Sequence, residues 1–216
     1  MSRMPFAKRA IAAIYSNTAG KLYEPIVVQG AFKVFGGSLH NLVADQGRRA
    51  VALADGGPIL DMPVGTGYFT AEVARAHPGV VIGADIAGGM VIETQRKARA
   101  EGIENLVAVQ CDVHALPFAD DSFPAILCSN GLQVMPGLHR AIAELYRVLA
   151  PDGSMFVSVV MLPVGALLPD AASDHLPTML RSRAYIARTL TEAGFEIGLV
   201  ESDRLAYMVE ARKPPL

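Results

Sequence analysis

Between positions 59 and 67 the chain reads ILDMPVGTG, a short apolar run carrying Asp61 at its end, then a Gly65-Thr66-Gly67 turn, then sequence that suits a helix. A buried strand that breaks into a glycine turn and re-enters as a helix is how an open α/β sheet brings bare backbone against a small ligand at its carboxyl edge. The rest of the chain extends the pattern. ILDM, GVVIGAD, NLVAVQCD, FPAILCSN and SMFVSVVML read as strands, with YFTAEVARA, GMVIETQRKARAEG and HRAIAELYRVLA as helices among them. That alternation predicts a Rossmann-like, mostly parallel α/β sheet of seven strands, covered by helices on both faces through right-handed crossovers.

The sixth and seventh strands, GFEIGLVES and LAYMVEAR, are separated by Ser202-Asp203-Arg204, too short a span for a crossover helix. They are predicted to pair as a C-terminal hairpin, placing one antiparallel strand in the sheet. Upstream, apolar positions at helical spacing make residues 1–55 a helical N-terminal cover for the core at 56–161. Residues 162–177, LPVGALLPDAASDHLP, are either a lid or a long connection, and 178–216 hold the last helix and the hairpin. At 216 residues one domain spanning 1–216 is expected.

With a formal net charge of −2, no basic block and no apolar run long enough to span a bilayer, the composition calls for neither a nucleic-acid partner nor an integral membrane segment. Cys111 and Cys128 sit in apolar stretches without metal-ligand spacing, so two reduced thiols in a cytoplasmic protein are expected, with no metal site. The apolar N-terminal cover is either core or the face of a homodimer.

Asp61, Asp85 and Asp112 fall at the ends of the first three strands, where open sheets place their crevice. Gly65 and Gly67 make room for a ligand. The helix start near Tyr68 offers N–H groups to an anionic or carboxylate group, and Asp85 is placed to accept hydrogen bonds from a ribose diol. Asp61 either orders the glycine turn or meets the ligand's amino group. A dinucleotide fingerprint wants a third glycine, and Thr70 stands there instead.

These motifs resemble those of the class I S-adenosylmethionine-dependent methyltransferases, in the small-molecule branch of the ubiquinone and menaquinone biosynthesis enzymes. LDMPVGTG matches that family's first motif, with Pro63 in place of the usual glycine; proline stiffens the turn and removes one N–H. VIGADIAGGM matches the second, and the resemblance implies Asp85 on the ribose hydroxyls, Ile86 beside it and Met90 near the adenine. CDVHALPFADDSF matches the third, implying Asp112 at the adenine amino group and Val113 against the ring, with Pro124 where an acid is usual. SNGLQVMPGLHRAIAELYRVLAPDG matches the fourth, implying Asn130 and Gly131 beside the methionyl part. Gln133 stands where many relatives carry a histidine. S-adenosyl-L-methionine is therefore the implied cofactor.

Family members use an N-terminal helix and a tyrosine in it to close the pocket. Here the resemblance implies Tyr15 against the cofactor and Tyr23 toward the reacting groups, with ordinary helix packing as the alternative for either. Of the five histidines, His175 in the 162–177 segment and His114 beside the adenine stretch are candidates for a base, the alternative for His114 being a surface residue on the cofactor side. His77 reads as a helix-end residue facing the dipole, His40 as part of the cover and His139 as solvated at a helix start. Apolar side chains such as Leu132, Met135, Met161 and Leu167 favour a small apolar or aromatic acceptor. Two other readings stand beside methyl transfer: a family member that holds the cofactor without methylating, and an NAD(P)-dependent oxidoreductase, although the chain has no Tyr-x-x-x-Lys pair.

Overall fold

The computed structural model describes residues 37–133, 135–160, 182–202 and 206–215. Tyr15, Tyr23, His175 and the 162–177 segment lie outside them, as does the cover before residue 37. The elements, in order, are α1 (Gly37–Ala54), β1 (Ile59–Asp61), α2 (Tyr68–Ala76), β2 (Val81–Asp85), α3 (Gly88–Ala100), β3 (Leu106–Gln110) and β4 (Phe123–Ser129). These are followed by α4 (Leu138–Val148), β5 (Leu149–Val160), α5 (Arg183–Glu192), β6 (Glu196–Ser202) and β7 (Ala206–Arg212).

The seven strands form one sheet in the order β3-β2-β1-β4-β5-β7-β6. Strands β1 to β5 pair in parallel, and β7 runs antiparallel to both β5 and β6. The predicted hairpin and single antiparallel strand are thus present. Chain order reverses between β1 and β4, so the carboxyl ends of these neighbours mark the switch point at which a crevice opens.

Alternation along β1 divides the core between the two faces. Ile59 joins Ala50 of α1, Ala71 and Ala74 of α2 and Ala98 of α3. Leu60 joins Ile142 and Leu145 of α4 and Ile186 and Leu190 of α5. Helix α1 buries Val43, Gln46, Ala50 and Ala54 along one stripe, and α4 buries Leu138, Ala141, Ile142, Leu145 and Val148. Each of the large residues contributes about 1.5–3 kcal/mol on burial. Gln46 fastens α1 to the sheet by donating from Nε2 to the carbonyl of Val157 at 2.9 Å, and Arg49 pairs with Glu210 of β7.

One strand departs from the sequence reading. β5 begins at Leu149 rather than Ser154, because Leu149 pairs with Phe123 before the register slips and Ser154 pairs with Ala125. Asp152, at φ 63°, turns the intervening residues out of the ladder.

Candidate functional site

The loop after β1 is laced to both neighbouring strands. Met62 N–H donates to the Leu127 carbonyl of β4 at 2.9 Å, and Val64 N–H donates to the Ala84 carbonyl of β2 at 2.8 Å. Pro63 lies between these donors, joined to Met62 by a cis peptide. The N–H that proline lacks is therefore not one that ties the loop to the sheet. Gly65 and Gly67 are both left-handed, with φ 58° and 74°, but they face different surroundings. A β-carbon at Gly67 would lie 2.9 Å from Thr94 Cγ2 of α3, whereas no atom of the described residues lies within 4 Å of one at Gly65. Gly67 lets the turn close on α3, and Gly65 leaves bare backbone beside open space.

Asp61 is 4% exposed, and its Oδ2 accepts the Thr70 hydroxyl at 2.5 Å. Its Oδ1 is buried and has no hydrogen-bond partner among the described residues. Burial pushes this carboxyl up to about 7, against the bond from Thr70, and the neighbouring Asp85 charge adds to the rise. One oxygen thus orders the first turn of α2, and the other has no donor among the described residues.

Asp85 is also buried and holds two backbone amides, Gly65 N–H on Oδ2 at 3.0 Å and Ala87 N–H on Oδ1 at 2.9 Å. Burial raises its carboxyl above the ordinary value, and those amides pull it back. It therefore joins the glycine turn to the start of α3. Ile86 beside it is half-buried, its carbonyl taking Gln110 Nε2 at 3.1 Å, and Met90 is buried one turn into α3. The N-cap residues of α2 and α3, Gly67 and Ala87, supply no side-chain cap of their own.

At the third strand end, Asp112 Oδ1 accepts both the backbone N–H of His114 at 3.0 Å and its Nδ1 at 2.8 Å, while Val113 is buried. His114 is 6% exposed, which corrects the surface reading: its Nε2 reaches the Pro136 carbonyl at 2.6 Å, so the ring is clasped between two loops. The end of β4 completes the rim. Asn130, left-handed at φ 55°, donates its N–H to the Ser158 carbonyl at 2.8 Å, and its buried Oδ1 has no partner among the described residues. Gly131 follows, packed against the Pro63 ring.

Other candidates take structural parts. His77 is buried, its Nε2 2.7 Å from the Gly57 carbonyl, a contact across two loops rather than with its own helix end. Gln133 accepts Val160 N–H at 2.9 Å and so fixes the end of β5. His139 is exposed at the start of α4, as expected, and His40 lies against the rings of Tyr68 and Phe69. Sequence reasoning missed Thr70 and Thr94. The signal for Thr70 was position, since a helix that returns beside its strand sets its first turn against the strand's last residue, whereas Thr94, in the second turn of α3, donates to the Gly65 carbonyl at 3.0 Å and had no such signal.

The motif after β3 also has a structural reason. Arg147 of α4 donates to the carbonyls of Leu116 and Phe118 and pairs with Glu144 and Asp120, while Glu144 accepts Leu116 N–H. These bonds clamp the ALPFADD loop onto α4. Among the described residues no group of three or more His, Cys, Asp or Glu is arranged to hold a metal, and no helix is long and apolar enough to cross a membrane.

Residues 59–153 match the family model of a methyltransferase domain. The demethylmenaquinone methyltransferase of Thermus thermophilus is 41% identical over 114 residues, 51% of this chain and 51% of that protein. A ubiquinone/menaquinone biosynthesis C-methyltransferase from Pectobacterium carotovorum is 38% identical over 124 residues, 55% of this chain and 49% of that one. The chain thus spans about half the length of these two relatives. A protein of the same name from Marinomonas is 32% identical over 183 residues, covering 79% of this chain and 68% of that protein. Among solved structures, the magnesium protoporphyrin IX methyltransferase of Synechocystis shares the fold at TM-score 0.72 and 21% identity, covering 96% of this chain and 99% of that one. The [4+2]-cyclase SpnF does so at TM-score 0.66 and 24% identity, covering 78% of this chain and 82% of that one. With motifs, strand order and relatives in agreement, this chain belongs to the class I S-adenosylmethionine-dependent methyltransferases, in the branch related to the ubiquinone and menaquinone C-methyltransferases.

Proposed function

We propose that the chain binds S-adenosylmethionine across the carboxyl ends of β1 to β4 and catalyses transfer of its methyl group to a small aromatic acceptor of quinone type. The carrying observation is a pair of buried acceptors that find no donor among the described residues, Asp61 Oδ1 and Asn130 Oδ1, at the ends of the neighbouring strands β1 and β4, with space beside Gly65 that no described residue fills. A cationic amino group fits such a place, because it supplies N–H donors and a charge that a buried carboxylate needs. When bound, the cofactor supplies a methyl already activated on a sulfonium sulfur.

The roles of the chain's own residues follow. Asp61, with Asn130 and Gly131, holds the methionyl end; each Asp85 oxygen holds one amide and accepts one ribose hydroxyl. Asp112 receives the adenine amino group, with Ile86, Met90 and Val113 as apolar walls. The rim orients the acceptor in line with the methyl and excludes water. Where the acceptor arrives protonated, a base must take its proton, and His175 and Tyr23 are proposed for that part. Tyr15 is proposed to close the pocket. The acceptor class rests on the names of the Thermus and Pectobacterium relatives and on the apolar Leu132 and Met135 in the loop after β4. No nucleic-acid partner is proposed, and a homodimer through the N-terminal cover is. The two thiols, Cys111 pushed up to about 11 and Cys128 to about 12 by burial, suit a reducing cytoplasm.

A second reading, retention of the cofactor without methyl transfer, is favoured by the engagement of His114 in structural bonds, which takes it away from proton transfer, and by Gln133, whose amide cannot act as a base. Calorimetric titration with S-adenosylmethionine and S-adenosylhomocysteine, with NAD as control, tests the cofactor. Release of S-adenosylhomocysteine in the presence of a demethylated naphthohydroquinone tests the reaction. Micromolar binding with turnover supports the first reading, binding without turnover across an aromatic acceptor panel supports the second, and silence from both ligands overturns both.

A further inference from the structure

His114 stands between two acceptors that belong to different halves of the crevice. Its Nδ1 meets Asp112 Oδ1 at 2.8 Å, on the loop after β3, and its Nε2 meets the Pro136 carbonyl at 2.6 Å, on the loop after β4. The backbone N–H of the same residue adds a second bond to the same carboxylate oxygen at 3.0 Å. The side chain is 7% exposed, so these bonds are shielded from competing water. The far anchor is itself fixed. Pro136 precedes Gly137, the left-handed N-cap of α4 at φ 64°, and a β-carbon on Gly137 would stand 3.2 Å from His114 Nε2. The imidazole thus fills the gap between the loops, with no room for the second loop to close further.

We infer that His114 is a positioning residue, a strut that uses the α4 N-terminus as an abutment to hold the Asp112 carboxylate in register with the adenine amino group. This rests on the cofactor reading above and adds to it the source of adenine selectivity. A carboxylate carried on a loop turns freely unless something fixes it, and preorganised acceptors discriminate between ligands far better than mobile ones. The strut makes that discrimination depend on the loop after β4, which no contact with the adenine would require.

The test compares S-adenosylhomocysteine with S-inosylhomocysteine, in which a carbonyl replaces the adenine amino group, by calorimetry on the full chain. The wild-type protein is expected to prefer the adenine ligand by about tenfold or more, the worth of one charge-assisted hydrogen bond. In His114→Ala the preference falls to about threefold or less, while binding of the inosine ligand changes by less than about twofold. Gly137→Ala, which leaves the imidazole in place but crowds its far nitrogen, is expected to lower the preference in the same direction, and it carries the test if His114→Ala does not fold. A general loss of structure would weaken both ligands alike and leave their ratio unchanged. Variants that keep the wild-type ratio overturn the strut, as does a wild-type protein that binds both ligands equally. A wild-type protein that binds neither fails the cofactor reading itself.

Discussion

Pro63 and Gly131 are fitted to one another across the switch point: a β-carbon at residue 131 would lie 2.1 Å from Pro63 Cδ and 3.1 Å from the buried Cys128 sulfur. The proline that departs from the family's first motif is matched by the absence of a side chain at the end of β4. Gly131→Ala is therefore expected to destabilise the fold by about 1–3 kcal/mol, because neither the proline ring nor the core sulfur has room to yield. Pro63→Gly in the same chain should recover part of that loss. A double-mutant cycle in urea unfolding reads the coupling, and strictly additive effects would refute the contact.

Asp61 ties stability and ligand affinity to pH in opposite senses. The folded state holds its proton up to about pH 7, whereas the ordinary value is 3.8. Its contribution is full below about pH 4, declines as pH rises toward 7 and is constant above, for a total on the order of 4 kcal/mol. Asp61→Asn should flatten that part of the stability profile. The carboxylate is the form that receives a cation, so S-adenosylmethionine should bind about tenfold more tightly at pH 8 than at pH 6. Equal affinity at the two pH values would remove Asp61 from the cofactor's amino group.

Asp85→Ala removes the anchor of Gly65 and Ala87 together with the proposed ribose contact. Affinity for S-adenosylhomocysteine should fall by about 1–3 kcal/mol. Calorimetry showing no change would refute the ribose assignment.

Lys213 locks the chain's last described stretch to the body of the fold. Its buried ammonium donates to Asp121 at 2.6 Å and to the carbonyls of Tyr146 and Leu149 at 3.0 and 2.8 Å. Asp121 is 44% exposed, so that pair is screened, and the two carbonyls carry most of the effect. Lys213→Met should cost about 2–3 kcal/mol through those abandoned carbonyls. Thermal unfolding at low and high salt checks this, and the loss should persist in salt.

The succession of strands along the chain and the places of the three acids were legible because each of the first three apolar runs is closed by its own aspartate, a local signal that needs no partner. The slip at β5 was not: Pro151-Asp152-Gly153 signals a turn, but the pairing of Leu149 with Phe123 ahead of that turn depends on a partner strand and not on the local sequence. The part played by His114 was hidden for a related reason. Its second partner, the Pro136 carbonyl, lies 22 residues onward in the loop after β4, a separation that no local signal bridges, so only the folded chain shows the ring to be enclosed. Thr70 was hidden in a milder way, as a residue read only as a missing glycine.

Strand β7 lies between β5 and β6 rather than at an edge. During synthesis the strands that bear Asp61, Asp85 and Asn130 have all left the ribosome before β7 does, yet the sheet stays in two pieces until that strand slides into its slot. A chain stopped short of it keeps the acids of the crevice and exposes two raw edges, so the arrival of β7 and protection from edge-to-edge aggregation are one event in this sheet.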